Sequence, residues 1–244
     1  GMRAVVTDRV YLGYMLTAVL GFGTLFAYIS SSSFVVQEVL GLGPRAFTLV
    51  FGANALATTL VSAMSMRLVG RVRTRRLLGV GVTWSVLGCL VLTLLVLVAG
   101  APVVPVLVAF PLTLAALGLV MGNATALAIS RVRANEGSGS AVLGTLQFTV
   151  AGAVSSAAGL GDGASGMAVV MLSCACLSAL SFAVVTRERG LRQTATGGRS
   201  PVRGPAGRTG SPAPAGTPGH PGRPRPARSR PPRRSPGRRT TTPL

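Results

Sequence analysis

The chain has 244 residues, 49% of them hydrophobic and 12% charged, with a mean hydropathy of +0.57. Few water-soluble domains of this size could carry such a hydropathy on their surfaces, so hydrocarbon is the expected solvent. All 24 basic residues are Arg, and the formal charge of +19 is unevenly placed: residues 1–189 carry 12 Arg and all five acids, whereas residues 190–244 carry 12 Arg and no acid.

A helix needs about 20 mostly apolar residues to cross a bilayer core of about 30 Å. Six stretches meet that length: Val10 to Ser33, Ala46 to Val69, Leu77 to Ala99, Val103 to Ser130, Ala141 to Leu160, and Met167 to Thr186. They are long and continuous rather than alternating, and in lipid every backbone group must bond within its own segment, so each is read as a helix. The fold class is therefore all-α integral membrane, a six-transmembrane-helix bundle over residues 1–189. No cleavable signal peptide is expected, because the first apolar run is long and lacks a small-residue cleavage site.

Orientation follows from arginine placement, since short basic loops stay in the cytoplasm. Arg3 and Arg9 precede the first span, Arg67 to Arg76 surround the second connection, Arg131 and Arg133 lie in the fourth, and Arg187, Arg189 and Arg192 follow the sixth. The opposite loops hold only Arg45. Both termini are expected in the cytoplasm, with Arg71, Arg75 and Arg76 anchoring the cytoplasmic loop between the second and third spans.

Polar side chains inside a span are costly to desolvate and tend to face the bundle interior or a water-filled path. The first span places Thr17, Thr24, Tyr28 and Ser31 on one face, and the second repeats Asn54, Thr58 and Ser62 every four residues. The fourth carries Thr113 and Asn123, the fifth Gln147 and Ser155. The third and sixth spans contain no Asn or Gln, which is the composition of helices that mostly meet lipid. This split marks Tyr28, Ser31, Asn54, Thr58, Asn123 and Gln147 as candidates for a substrate pathway lined by the first, second, fourth and fifth helices. The competing use of the same groups is to bond helices together or to bond back to their own backbone. Gly118 and Gly122 have the spacing that allows close helix approach, and Pro111 removes a backbone donor and should kink the fourth span.

No acid, Lys, Arg or His occupies the middle of any span, and His220 lies in the C-terminal segment. Metal catalysis, a Ser-His-Asp arrangement and paired carboxylates therefore lack their residues, and no enzymatic activity is expected. Cys89, Cys174 and Cys176 sit in apolar runs without paired spacing, so neither a disulfide framework nor a metal site is expected, and no cofactor.

Residues 190–244 hold 12 of the 16 prolines and no aromatic residue. Such a segment cannot bury a core and is expected to be a disordered cytoplasmic tail. Its arginines suit acidic lipid headgroups. A nucleic-acid role is not favoured, because stacking aromatics are lacking. A dispensable tail, or an out-of-frame reading of GC-rich DNA, also fits this composition.

Tyr28-Ile-Ser-Ser-Ser-Ser-Phe34-Val-Val-Gln37, then Leu40-Gly-Leu-Gly-Pro44 and Phe47 to Asn54, resembles the seventh helix, outer loop and eighth helix of Bcr/CflA-type multidrug efflux transporters of the major facilitator superfamily. Gly122-Asn-Ala-Thr-Ala-Leu127, leading through Gly137-Ser-Gly-Ser-Ala141 to Leu143-Gly-Thr-Leu-Gln147-Phe148, is similar to the tenth and eleventh helices of that family. The basic stretch from Gly70 to Arg76 is similar to its arginine-rich loop between the eighth and ninth helices. The resemblance implies a twelve-helix, proton-driven exporter of drugs or other small molecules in the cell membrane, of which residues 1–189 form the C-terminal six-helix half. Its implied partners are the lipid bilayer, a small-molecule substrate, protons, and either a separate N-terminal six-helix half or a second copy. The start at Gly1-Met2 fits a fragment or a split gene, and the acidic coupling residue would belong to the other half. The alternative from a different class is a non-transporting membrane fragment or scaffold whose polar residues only pack helices.

Overall fold

A computed structural model describes residues 7–159 and 163–197, with side chains described as far as residue 186. Among the described residues the chain forms six long α-helices and no strand. Helix α1 (Arg9–Phe34) starts at Asp8, whose carboxylate accepts from the Val10 and Tyr11 N–H groups at 2.8 and 3.0 Å and so satisfies two donors that the first turn leaves free. It ends in a single π turn, Val35–Val39. Gly41, at φ 65°, takes the left-handed position that closes this end, with the Leu40 and Leu42 N–H groups bonding back to the Val35 and Val36 carbonyls.

Helix α2 (Pro44–Leu68) opens with proline at its first position, where the missing N–H costs nothing. A turn through Gly70, at φ 98°, leads to α3 (Thr74–Leu97). Helix α4 (Val103–Ile129) continues as one helix through Pro111. A 3-10 turn, Arg133–Asn135, precedes α5 (Glu136–Gly159), and α6 (Ala164–Gly197) ends the described chain.

Two boundaries differ from the sequence expectation. Helix α5 begins five residues before Ala141, because Gly137 to Ser140, which read as loop by composition, are wound into its first turns. The Tyr11 hydroxyl donates to the Gly139 carbonyl at 2.6 Å there. The backbone of α6 stays helical through residues 187–197, past the expected end at Thr186 and past the tail boundary at residue 190. The rest of the expected tail, residues 198–244, lies outside the described residues.

Helices α1, α4, α3 and α6 form a four-membered core in which each packs on the next. Helix α2 is attached to this core through α4, and α5 mainly through α1; α2 and α5 are not packed on each other. One apolar cluster, built on Tyr11, Tyr14, Leu78, Val120 and Leu143, lies toward the Asp8 end. A second, with Tyr28, Leu92, Phe110, Met167 and Met171, lies toward the opposite end. Glycine permits the closest approaches. A Cβ on Gly81 would fall 2.6 Å from the Leu119 side chain, and one on Gly88 would fall 2.7 Å from the Thr113 hydroxyl, so α3 rests directly on α4.

Cover within the chain differs from helix to helix. Only 6% of the apolar window of α2 and 17% of that of α5 is buried, against 33% for α3 and α6 and 61% for α4. The least covered helices are thus the amide-bearing α2 and α5. Leu49, Leu56, Leu60 and Met64 of α2 and Phe148 of α5 stand exposed.

Candidate functional site

The polar stripe of α1 resolves into two kinds of residue. Thr17 and Thr24 donate to the carbonyls four residues back, Gly13 at 2.8 Å and Leu20 at 3.1 Å. Bonds of that kind are satisfied within the helix and need no ligand. Tyr28 differs, because its hydroxyl reaches across to α2 and accepts from the Asn54 amide Nδ2 at 2.5 Å. The amide nitrogen of Asn54 is thus the end turned toward the phenol.

The other end of that amide has no partner. Asn54 Oδ1 is buried and makes no hydrogen bond, although Asn54 as a whole is 2% exposed. A buried acceptor left empty in an apolar setting is unfavourable by about 1–3 kcal/mol, so its position beside a cavity is informative. The cavity, about 290 Å³, is lined by Leu25, Tyr28, Phe51, Asn54, Thr58 and Thr59 and occupies the gap between α1 and α2. Aromatic rings line or back it: Phe51 stacks on Tyr28 with centroids 6.2 Å apart, and Phe110 meets Tyr28 edge-on at 5.3 Å. The lining combines an amide, a phenol, two threonines and flat apolar walls, with no formal charge.

Of the residues expected in the pathway, the structure brings together Tyr28, Asn54 and Thr58. Thr58 lines the cavity while its hydroxyl is shared between the Asn54 and Leu114 carbonyls, at 2.9 and 3.2 Å. Ser31 is buried against a separate pocket of about 230 Å³, shared with Phe34, Ala158 and Gly163. Asn123 spends its amide hydrogens on Ser65 Oγ, at 2.7 Å, and on the Leu119 carbonyl, at 2.8 Å, which clamps α4 to α2 away from the cavity. Gln147 is half-buried on α5, a helix that contributes nothing to the lining of the Tyr28–Asn54 cavity.

Ser65 was not among the sequence candidates. It continues the stripe of Asn54, Thr58 and Ser62 by three residues, so following that register one more turn would have found it. At the basic end, Arg71 and Arg76 are exposed and Arg75 is half-buried. The ion pair described at that end is instead Arg131 with Asp8, 3.6 Å apart, tying the start of α1 to the α4–α5 turn. Among the described residues, no cluster of three or more His, Cys, Asp or Glu could hold a metal ion.

No family model matches the chain. It is 30% identical over 189 residues to an uncharacterized MFS-type transporter, YdgK, of Bacillus subtilis (strain 168). The match covers 77% of this chain and 47% of that protein, so the chain spans about half the length of the curated relative it matches. Together with six helices long and apolar enough to cross a bilayer, this similarity identifies a multi-pass membrane protein and supports its membership of the major facilitator superfamily.

Proposed function

We propose that residues 1–189 act as one six-helix half of a transporter that exports drugs or other small amphipathic molecules in exchange for protons across the cell membrane, with both ends of the chain in the cytoplasm. The observation that carries the reading is the unsatisfied Asn54 Oδ1 beside a cavity on the least covered side of the bundle. An empty acceptor flanked by Tyr28 and Phe51 fits a molecule with a flat apolar body and one N–H or O–H donor.

The bare faces of α2 and α5 fit the same reading. Their exposed side chains would be covered by a second six-helix unit, whether an N-terminal half or another copy, leaving the Tyr28–Asn54 cavity at the seam. Transporter halves of this type place the substrate path between repeats near the bilayer midplane. No titratable group capable of carrying a proton at neutral pH occurs mid-span in this chain, so the coupling acid would come from the other unit.

The test is uptake of a panel of amphipathic dyes by inverted vesicles containing the full transporter. Asn54→Ala should lower uptake at least about tenfold, the scale of losing one hydrogen bond in a dry site, with the protein still in the membrane. Uptake unchanged for every dye would remove the cavity from the pathway.

A further inference from the structure

We propose that the outer face of α3 binds one anionic phospholipid, with its phosphate on Arg76 and one acyl chain along the groove beside Trp84. The groove, about 680 Å³, is lined by Arg76, Gly79, Val80, Thr83, Trp84 and Leu87. These residues recur at steps of three and four, so they form a continuous stripe down one side of the helix. Val80, Thr83 and Leu87 are exposed along it, while at Gly79 the Phe182 ring of α6 packs in ordinary contact, 3.4 Å from where a Cβ would begin.

Length and charge select the occupant. From Arg76 to Leu87 the helix rises about 16 Å, close to half of the bilayer core of about 30 Å, so the groove matches one leaflet. Its apolar floor suits an acyl chain and its mouth is cationic. Arg71, Arg73, Arg75 and Arg76 follow one another closely there, and the sequence contains no Asp or Glu between residues 39 and 135. Asp8, at the same end, is engaged with Arg131. A phosphodiester with a net negative charge supplies a counter-ion, and guanidinium holds phosphate oxygens in a forked geometry. A zwitterionic lipid would bring its own cation and gain less.

Trp84 is the only tryptophan in the chain, which makes the groove directly observable. The full chain in detergent is titrated with brominated phosphatidylglycerol and, separately, with brominated phosphatidylcholine, and Trp84 fluorescence is followed. Phosphatidylglycerol should reach half-maximal quenching at a several-fold lower mole fraction. Arg76→Gln should weaken that preference about fivefold, the effect expected of one arginine near an anionic surface, and Arg76→Lys should restore part of it. Equal midpoints for the two lipids would show ordinary annular lipid and overturn the proposal, as would a preference untouched by Arg76→Gln. Far-UV circular dichroism checks that each variant is folded. Should Arg76→Gln lose helicity, Thr83→Phe fills the groove at an exposed lining position without altering charge; quenching by phosphatidylglycerol that stays undiminished in that variant overturns the proposal equally.

Discussion

Gly118 of α4 meets the backbone of Thr58 on α2 so closely that a Cβ on the glycine would lie 2.5 Å from the Thr58 carbonyl oxygen and 2.9 Å from the Ser62 nitrogen. This contact holds α2 to the core, because α2 buries little else besides Asn54 and Ser65. Gly118→Ala should therefore push the two helices apart and cost about 1–3 kcal/mol. Gly122, four residues on, faces open space, and a Cβ there would meet nothing within 4 Å. Gly122→Ala should change stability by less than about 0.5 kcal/mol. Thermal unfolding of the purified variants in detergent measures both. Equal effects would mean that α2 is not seated on Gly118.

The bond between Asn54 and Tyr28 bridges a gap that the two backbones do not close. Removing either partner, by Asn54→Ala or Tyr28→Phe, should destabilise the chain, and the double variant should show a coupling of about 0.6 to 1.7 kcal/mol, the range known for polar pairs between membrane helices. A coupling of zero from the full double-mutant cycle would indicate that the pair does not hold α1 to α2.

Asn123 and Gln147 look alike in the sequence, as lone amides on polar stripes, yet the structure separates them. Asn123 is 4% exposed and bonded to Ser65 and Leu119; Gln147 is half-buried on the sparsely covered α5. Asn123→Ala should cost about 1–2 kcal/mol of stability, whereas Gln147→Ala should be close to neutral in the isolated chain. If Gln147 lines the path only when a second unit is present, its variant should affect transport without affecting unfolding. A large loss of stability from Gln147→Ala would contradict that separation.

How much of this is legible in the sequence differs between levels of structure. The six helices are readable because hydrocarbon leaves the backbone no alternative, and all six spans correspond to helices of the bundle. Polar pairing is not, because periodicity places Tyr28 and Asn54 on faces of two helices but says nothing about which faces meet. The same ignorance of neighbours hides the Asp8–Arg131 pair, whose members are far apart in sequence. The sparse cover of α2 and α5 within the chain is hidden for a related reason. Composition reports what a helix surface is made of, while cover depends on which helices happen to lie beside it.

Asp8 performs two tasks at the start of α1, capping the first turn and pairing with Arg131. The cap should dominate. Asp8→Ala should cost about 1 kcal/mol, the usual value for losing an N-cap. Arg131→Gln should cost less, because that side chain is 42% exposed and exposed ion pairs contribute roughly 0–1 kcal/mol. Added salt should shrink the Arg131 effect and leave the cap effect nearly intact. Salt-independent losses of equal size from both variants would show that the ion pair is not an ordinary surface one.

The arginines at Arg67, Arg71, Arg73, Arg75, Arg76, Arg131 and Arg133 fall at one end of the bundle, because successive helices run antiparallel and the basic turns are those after α2 and α4. Positive charge in short loops resists export, so that end should face the cytoplasm. Reporter fusions after residues 70 and 132 should behave as cytoplasmic, and fusions after residues 42 and 101 as external. Each arginine near an anionic leaflet contributes about 1 kcal/mol, so replacing Arg71, Arg73, Arg75 and Arg76 together with Gln should weaken the bias by several kcal/mol and yield mixed topology at the 70 and 101 fusions. Removing Arg45, which stands alone at the opposite end, should sharpen the alternation rather than blur it. Fusions that report one side throughout would mean that the helices do not cross, and the transport reading would lose its footing together with the lipid groove.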